Sequence, residues 1–458
     1  MKSSFFNTVI LFPLLIAVLP AQTAWDAIHI FDGETGFGTR ALSLGGAYTG
    51  LADDFSAVYW NPAGLGQMDQ AQFYSELSHL KYPNNATYMN ESILDRRSYT
   101  RFRSFGLVSP VPVAQGSLVF AFGYNRIKDY DENLLFSGFS SVSNQLEFEI
   151  TAANDVTATY PFDRNVYRQE EVSTEGGLGQ WSLAGAVAVS PRILVGATLG
   201  LLTGSELYRF TFLQEDQNDI YATYPADFDS YSIEQNLHSD ISGITLKIGG
   251  LWKVARWVQL GGTVTLPARV EVHETHSQND RLVFDDGFSD ATETSGEWTY
   301  RIRTPYVFEG GMAVRTPLFT VSTSLRTRDW SQTRFIVDGK SMNNQDYRDY
   351  LAENTILATQ YRSVTELHAG AEVPVPFLGL TLRGGIGLVP DPLKTGADAS
   401  RYRVYGGGLS FRPDPLIQVD LTANVSPRKK TTSDQYTPGG TVESINKVLF
   451  QAGLSFRF

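Results

Sequence analysis

Residues 417–425 read Ile417-Gln418-Val419-Asp420-Leu421-Thr422-Ala423-Asn424-Val425, apolar at every odd position and polar at every even one. A period of two is that of a β-strand with one apolar and one polar face. The alternation returns at Val258, Leu260, Gly262, Val264 and Leu266 against Gln259, Gly261, Thr263 and Thr265. It recurs at Ile244, Leu246, Ile248 and Trp252, and at Leu380, Leu382, Ile386 and Leu388. An apolar face of this kind lines the core of a soluble sandwich or meets lipid around a membrane barrel, and alternation does not separate the two.

Connection lengths do. Strands are read at 70–82, 100–110, 115–128, 178–190, 193–209, 233–253, 256–273, 297–316, 318–336, 361–374, 378–390, 400–412, 416–426 and 445–458, about fourteen in all. Tight turns, several carrying a proline that cannot sit inside a paired strand, fall around 110–115, 190–192, 254–255, 316–317, 375–377 and 413–415. The connections between them, such as 129–177, 210–232, 274–296 and 337–360, are long and rich in Asp, Asn, Glu, Ser and Tyr. Alternating short and long connections are expected of a transmembrane antiparallel β-barrel that turns tightly in the periplasm and extends loops outside the cell. The fold class is therefore read as all-β, a barrel over 70–458 in the bacterial outer membrane.

Composition supports this reading. The chain has 458 residues with 41 Gly, 22 Tyr and 28 Phe, and no linker or low-complexity tract divides it. A formal charge of -12 offers no basic face to a nucleic acid. With no cysteine there is neither a disulfide framework nor a thiolate metal site. Lys2 followed by the apolar stretch 9–19 and by Pro20-Ala21-Gln22-Thr23-Ala24 reads as a secretory signal, residues 1–21, with cleavage between about 21 and 24. Its apolar core is shorter than the roughly 20 residues a membrane-spanning helix needs, and no other apolar run is longer.

At the C-terminus Val448, Phe450, Ala452, Leu454, Phe456 and Phe458 alternate with Gln451, Gly453, Ser455 and Arg457. A bare apolar edge invites aggregation, whereas in a closed barrel the last strand pairs with the first. This ending resembles the signal read by the barrel-assembly machinery, with Gly453, Phe456 and Phe458 at the matching positions.

Residues 25–69 precede the first strand and are dominated by small side chains, as in Leu44-Gly45-Gly46-Ala47-Tyr48-Thr49-Gly50-Leu51-Ala52-Asp53-Asp54 and Tyr59-Trp60-Asn61-Pro62-Ala63-Gly64-Leu65. They read as a compact plug whose Asn61-Pro62 step turns the chain. The run from Gly38 to Leu65 resembles the N-terminal hatch of the FadL/TodX family of outer-membrane transporters for hydrophobic compounds. Asn61, Pro62 and Ala63 match that family's Asn-Pro-Ala motif, Gly64 follows it, and Asp53-Asp54 match the preceding acidic pair. Asp329-Trp330-Ser331 closing one strand also fits. The resemblance implies passive uptake of a long-chain fatty acid or hydrocarbon, with a hydrophobic small molecule and outer-membrane lipid as partners and no cofactor. It also implies a hatch that shifts and a kink in the third strand through which the molecule leaves sideways. Gly123, on the inward parity of Val119, Ala121 and Asn125, is the candidate for that kink. The motif is shared with PorV-like barrel scaffolds of the type-nine secretion apparatus, which is the alternative function; an outer-membrane lipid hydrolase is a third.

Other chemistry is thin. His273 and His276 sit on a strand end, where a three-residue spacing does not bring two rings to one side. No Ser–His pair stands out as a nucleophile and base, so the chain is read as a non-enzyme. Arg101, Arg103, Arg383, Arg401 and Arg403 are candidates to meet a carboxylate headgroup, although arginines inside a barrel commonly balance acids there.

Overall fold

The structure is a computed structural model that describes residues 22–151, 156–338, 342–394 and 402–458. The expected secretory segment 1–21 and Arg401 lie outside these. Fourteen antiparallel strands close into a barrel. They are β1 (Gln72–Tyr88), β2 (Glu91–Val111), β3 (Leu118–Asp129), β4 (Val166–Ser190), β5 (Ile193–Glu215) and β6 (Ala226–Ala255). Next come β7 in two pieces (Val258–Thr265 and Arg269–Phe284), β8 in two pieces (Ser289–Arg303 and Val307–Arg315) and β9 (Thr320–Asp329). β10 (Ser363–Val375), β11 (Leu380–Val389), β12 (Tyr402–Asp414), β13 (Ile417–Thr432) and β14 (Thr441–Arg457) complete the wall. Closure is by β1 on β14, with Phe73 opposite Phe456 and Leu77 opposite Ala452, and Phe458 N donates to Ala71 O at 3.0 Å. Phe456 and Phe458 stack at 5.8 Å between ring centroids on the outer face.

Burial is inverted relative to a soluble protein. Leu183 is 56% exposed and Phe308 52%, whereas Arg103 is fully buried and Asp420 2% exposed. The apolar parity of each strand faces outward and the charged parity inward, as a lipid solvent requires. With closure, this makes the chain an integral barrel of the outer-membrane type. No helix among the described residues is long and apolar enough to span a membrane.

Four stretches differ from the sequence reading. The stretch 83–99, which falls between the expected strands 70–82 and 100–110, is not a loop: β1 and β2 stay paired up to Tyr88 opposite Glu91 and turn through Met89 and Asn90, both at positive φ. Backbone pairing continues beyond the lipid, where both faces are wetted, so the hydrophobic period fades while the ladder does not. Similarly 129–177 contains a strand, Glu132–Ser140, that continues on β4 after β3 ends, and a small hairpin, Glu147–Thr151 with Thr157–Pro161. Conversely, 256–273 and 297–316 are not single strands: they break at 266–268 and 304–306, where Pro267 and Pro305 have no N–H to give the ladder.

Candidate functional site

Residues 22–71 occupy the lumen. They form α1 (Ala24–His29), α2 (Thr39–Ser43), α3 (Ala57–Trp60) and a 3-10 turn (Pro62–Gln67). Such short helices are marginal alone, and the segment's backbone is instead satisfied by the wall. Thr422 Oγ1 donates to Thr39 O at 2.8 Å, Asn424 Nδ2 to Leu42 O at 2.7 Å, Ser322 Oγ to Ala47 O at 2.6 Å and Ser117 Oγ to Gly66 O at 2.8 Å. Close approach is allowed by glycines on the inward parity. A Cβ at Gly370 would lie 2.6 Å from Leu44 O, one at Gly311 2.7 Å from Gly50 N, and one at Gly196 2.6 Å from Pro62 C.

Asn61 is the joint of this segment. It is fully buried and extended, as the residue before a proline prefers, and its Oδ1 caps the 3-10 turn by accepting from Ala63 N at 3.1 Å. Its Nδ2 donates to Thr49 O at 2.9 Å and to Gly250 O of β6 at 3.1 Å. Pro62 takes the first position of the turn, Ala63 is fully buried, and a side chain at Gly64 would collide with Ala52 O.

The acidic pair splits into two roles. Asp53 bonds Arg40 and accepts from Arg315 Nη1 at 2.8 Å; Arg40 in turn holds Glu372 at 2.7 Å, which meets Arg383, itself on Asp420 at 2.6 Å. Burial pushes the Asp53 carboxyl up, but Arg315 and Arg40 outweigh it and hold it well below the usual carboxylate range. Asp54 accepts from Ser56 N at 2.9 Å and from Tyr48 Oη at 2.8 Å, and burial raises it.

A second ion cluster was not foreseen. Glu34 accepts from Tyr59 Oη at 2.7 Å, Arg326 Nη2 at 2.7 Å and Arg328 Nη2 at 2.8 Å. Desolvation raises its carboxyl, and the two guanidinium groups overcome that and bring it down to about 2.

Toward the long-loop end, a cavity of about 260 Å³ lies between the segment and the wall. Phe31, Trp60, Tyr82, Tyr130, Trp330 and Tyr402 supply aromatic surface, Lys128, Arg428, Lys430 and Lys447 supply positive charge, and Asp32, Glu34, Asp129, Glu132 and Glu366 supply negative charge; Lys430 is paired with Glu443 at 3.4 Å. Arg428 Nε is buried without a hydrogen-bond partner among the described residues, and its guanidinium lies 5.7 Å from the centroid of Tyr402. These cations differ from the arginines singled out in the sequence. Arg103 is bonded to Asp129 at 2.8 Å and to Gly36 O, Arg101 to Asp131 at 2.8 Å, Arg383 to acids already named, and Arg403 is exposed on the outward parity of β12. The inward parity of 428, 430 and 447 was the available clue. His273 hydrogen-bonds Thr299 and His276 stacks on Trp298, and no metal-competent acid or His cluster occurs among the described residues.

Gly123 faces the segment. It pairs in unbroken register with Gly106 and Ser182, and a Cβ there would meet the ring of Phe55. The register shift in β3 falls instead between Arg126 and Lys128.

The resemblance read from the hatch residues is met by solved structures. The toluene transporter TodX of Pseudomonas putida matches with a TM-score of 0.56 at 14% identity over 93% of this chain and 98% of that one. The toluene transporter TbuX of Ralstonia pickettii matches with 0.55 at 14% identity over 93% and 99%. A Pseudomonas aeruginosa FadL homologue matches with 0.55 at 12% identity over 93% and 98%. The fold is that of the FadL and TodX barrels. No family model and no curated protein matches the chain. At such identities the FadL/TodX likeness extends to architecture, and function has to be argued from the cavity.

Proposed function

We propose that this FadL/TodX-type barrel is a passive outer-membrane transporter for hydrophobic small molecules of the long-chain fatty acid or hydrocarbon class. One observation carries the reading: the 260 Å³ cavity sets aromatic rings beside Lys128, Arg428, Lys430 and Lys447. An amphipathic acid can lay its chain on the rings and its carboxylate on the cations, gaining both apolar burial and charge-assisted bonds. Residues 25–69 act as the hatch, held by Asp53, Asn61 and the turn at Pro62, Ala63 and Gly64, while Asp54 stiffens its middle. An apolar solute avoids the aqueous lumen by leaving sideways into the bilayer, where each methylene gains about 0.8 kcal/mol. Gly453, Phe456 and Phe458 on the closing strand are read by the assembly machinery during biogenesis.

The test is extraction and mass spectrometry of small molecules from the detergent-purified barrel, compared with Asn61→Ala. A fatty acid, alkane or aromatic hydrocarbon, altered in the variant, supports transport. A reproducibly empty barrel with a stoichiometric protein partner supports the scaffold reading instead.

A further inference from the structure

The wall is interrupted at one level on three consecutive strands. β7 breaks at 266–268, β8 at 304–306, and β9 leaves the sheet after Asp329 for the 3-10 turn Trp330–Gln332. β7 and β8 remain tied across their breaks, with Thr304 N donating to Ala268 O at 3.0 Å. The β8–β9 seam does not. Its ladder stops at Val307 opposite Arg328 and resumes only at Arg303 opposite Arg334, so that 304–306 face the longer stretch 329–333. Among the described residues no backbone hydrogen bond joins these two stretches, and Trp330 N turns away to Arg362 O. On the outer face Tyr306 and Phe308, both exposed and stacked at 6.0 Å, place the break at the upper rim of the lipid-facing band.

Behind the seam lies a second cavity of about 60 Å³, lined in part by Thr304, Pro305, Val307, Trp330 and Thr333. Thr333 Oγ1 is buried there with no hydrogen-bond partner among the described residues. Phe31, Glu34, Arg326, Arg328 and Trp330 line both this cavity and the larger one. The partition between the two is therefore the Glu34 cluster.

We propose that the molecule passes between the large cavity and the outer leaflet through the β8–β9 seam, with the Glu34–Arg326–Arg328 cluster as its inner door; this rests on the transport reading above. Parting strands in lipid is costly because each broken ladder bond strands an N–H and a C=O in hydrocarbon. At the seam no such bond has to break, whereas β2 and β3 beside Gly123 are paired residue by residue.

The chain has no cysteine, so staples can be introduced on a silent background. Tyr306→Cys with Asp329→Cys spans the unpaired stretch at the outward-facing positions next to the last pair, Val307 and Arg328, and Leu107→Cys with Phe122→Cys locks β2 to β3 at outward-facing ones. Each full-length barrel is reconstituted in vesicles and assayed with oleate and with toluene, oxidised and reduced; a bis-maleimide replaces the disulfide where it does not close. Uptake should fall to the level of empty vesicles when the β8–β9 staple is oxidised, return with reductant in the same sample, and persist through the β2–β3 staple. Undiminished uptake with the seam stapled overturns the route and leaves transport standing, as does loss with the β2–β3 staple alone. If the unstapled barrel carries neither probe, the transport reading falls and the route with it.

Discussion

Asn61 Nδ2 lies 3.1 Å from the carbonyl oxygen of Gly250 and 2.9 Å from that of Thr49, so one side chain ties the N-terminal segment to itself and to β6. Its Oδ1 caps the turn that follows. Asn61→Ala removes three bonds and strands Thr49 O and Ala63 N, while Gly250 lies within the paired ladder of β6, a loss of about 1–3 kcal/mol for each stranded group. The strands do not depend on this side chain, so the barrel should still show heat-modifiable mobility on gels. The segment should loosen, raising single-channel conductance in planar bilayers; an unchanged conductance would show that Asn61 does not hold the lumen closed.

Gly370 faces Leu44 O at a distance that leaves no room for a side chain. Gly370→Val should therefore fold as a barrel and expel α2 from the wall, giving faster amide exchange over 39–46 by roughly tenfold or more, equivalent to about 1–3 kcal/mol of overpacking. Protection equal to wild type over that stretch would mean the wall yields instead of the segment.

Much of the barrel was legible, and the reason is physical. Where lipid sits on one side and a polar lumen on the other, parity is enforced residue by residue, as at 417–425. Beyond the lipid that constraint lapses, which is why 83–99 falls between the expected strands and is a hairpin. Pro267 and Pro305 were visible inside supposed strands and mark the breaks. The run 38–65 stands out through its motif, and Asn61 within it ties the N-terminal segment to β6. The Glu34 cluster was not legible, because its partners are 292 and 294 residues away and nothing local distinguishes Glu34 from a surface acid. Gly123 stands out by strand number and parity, and a Cβ there would meet the ring of Phe55.

Glu34 gives the segment a defined pH response. Its carboxyl is held at about 2 against an ordinary 4.5, so its ion pairs contribute stability fully above pH 4.5, and that contribution is lost as pH falls through 2. The size is on the order of 3 kcal/mol. Fluorescence of Trp60 and Trp330, which border the same cavity, should hold steady from neutral pH to about 5 and change on further acidification. Glu34→Gln carries no charge at any pH and should show the acid-like signal already at pH 7. A variant that retains the wild-type titration would assign the transition to another carboxyl.

Arg428 Nε, without a hydrogen-bond partner among the described residues, faces a cavity lined by aromatic rings and by both acids and cations. If the headgroup of an amphipathic acid completes that guanidinium, charge and not chain length should decide the effect of removing it. Arg428→Met keeps much of the side chain's apolar bulk while losing a charge-assisted bond, about 1.5–3 kcal/mol or roughly tenfold or more in affinity. Oleate binding to the detergent-solubilised barrel should weaken by that factor, whereas oleyl alcohol, with the same chain and no charge, should bind both forms alike. Equal weakening for the two ligands would show that Arg428 shapes the apolar wall and does not read the headgroup. Oleate binding unaffected by the change would move the headgroup to Lys128, Lys430 or Lys447, and the same comparison can then be run at each of them.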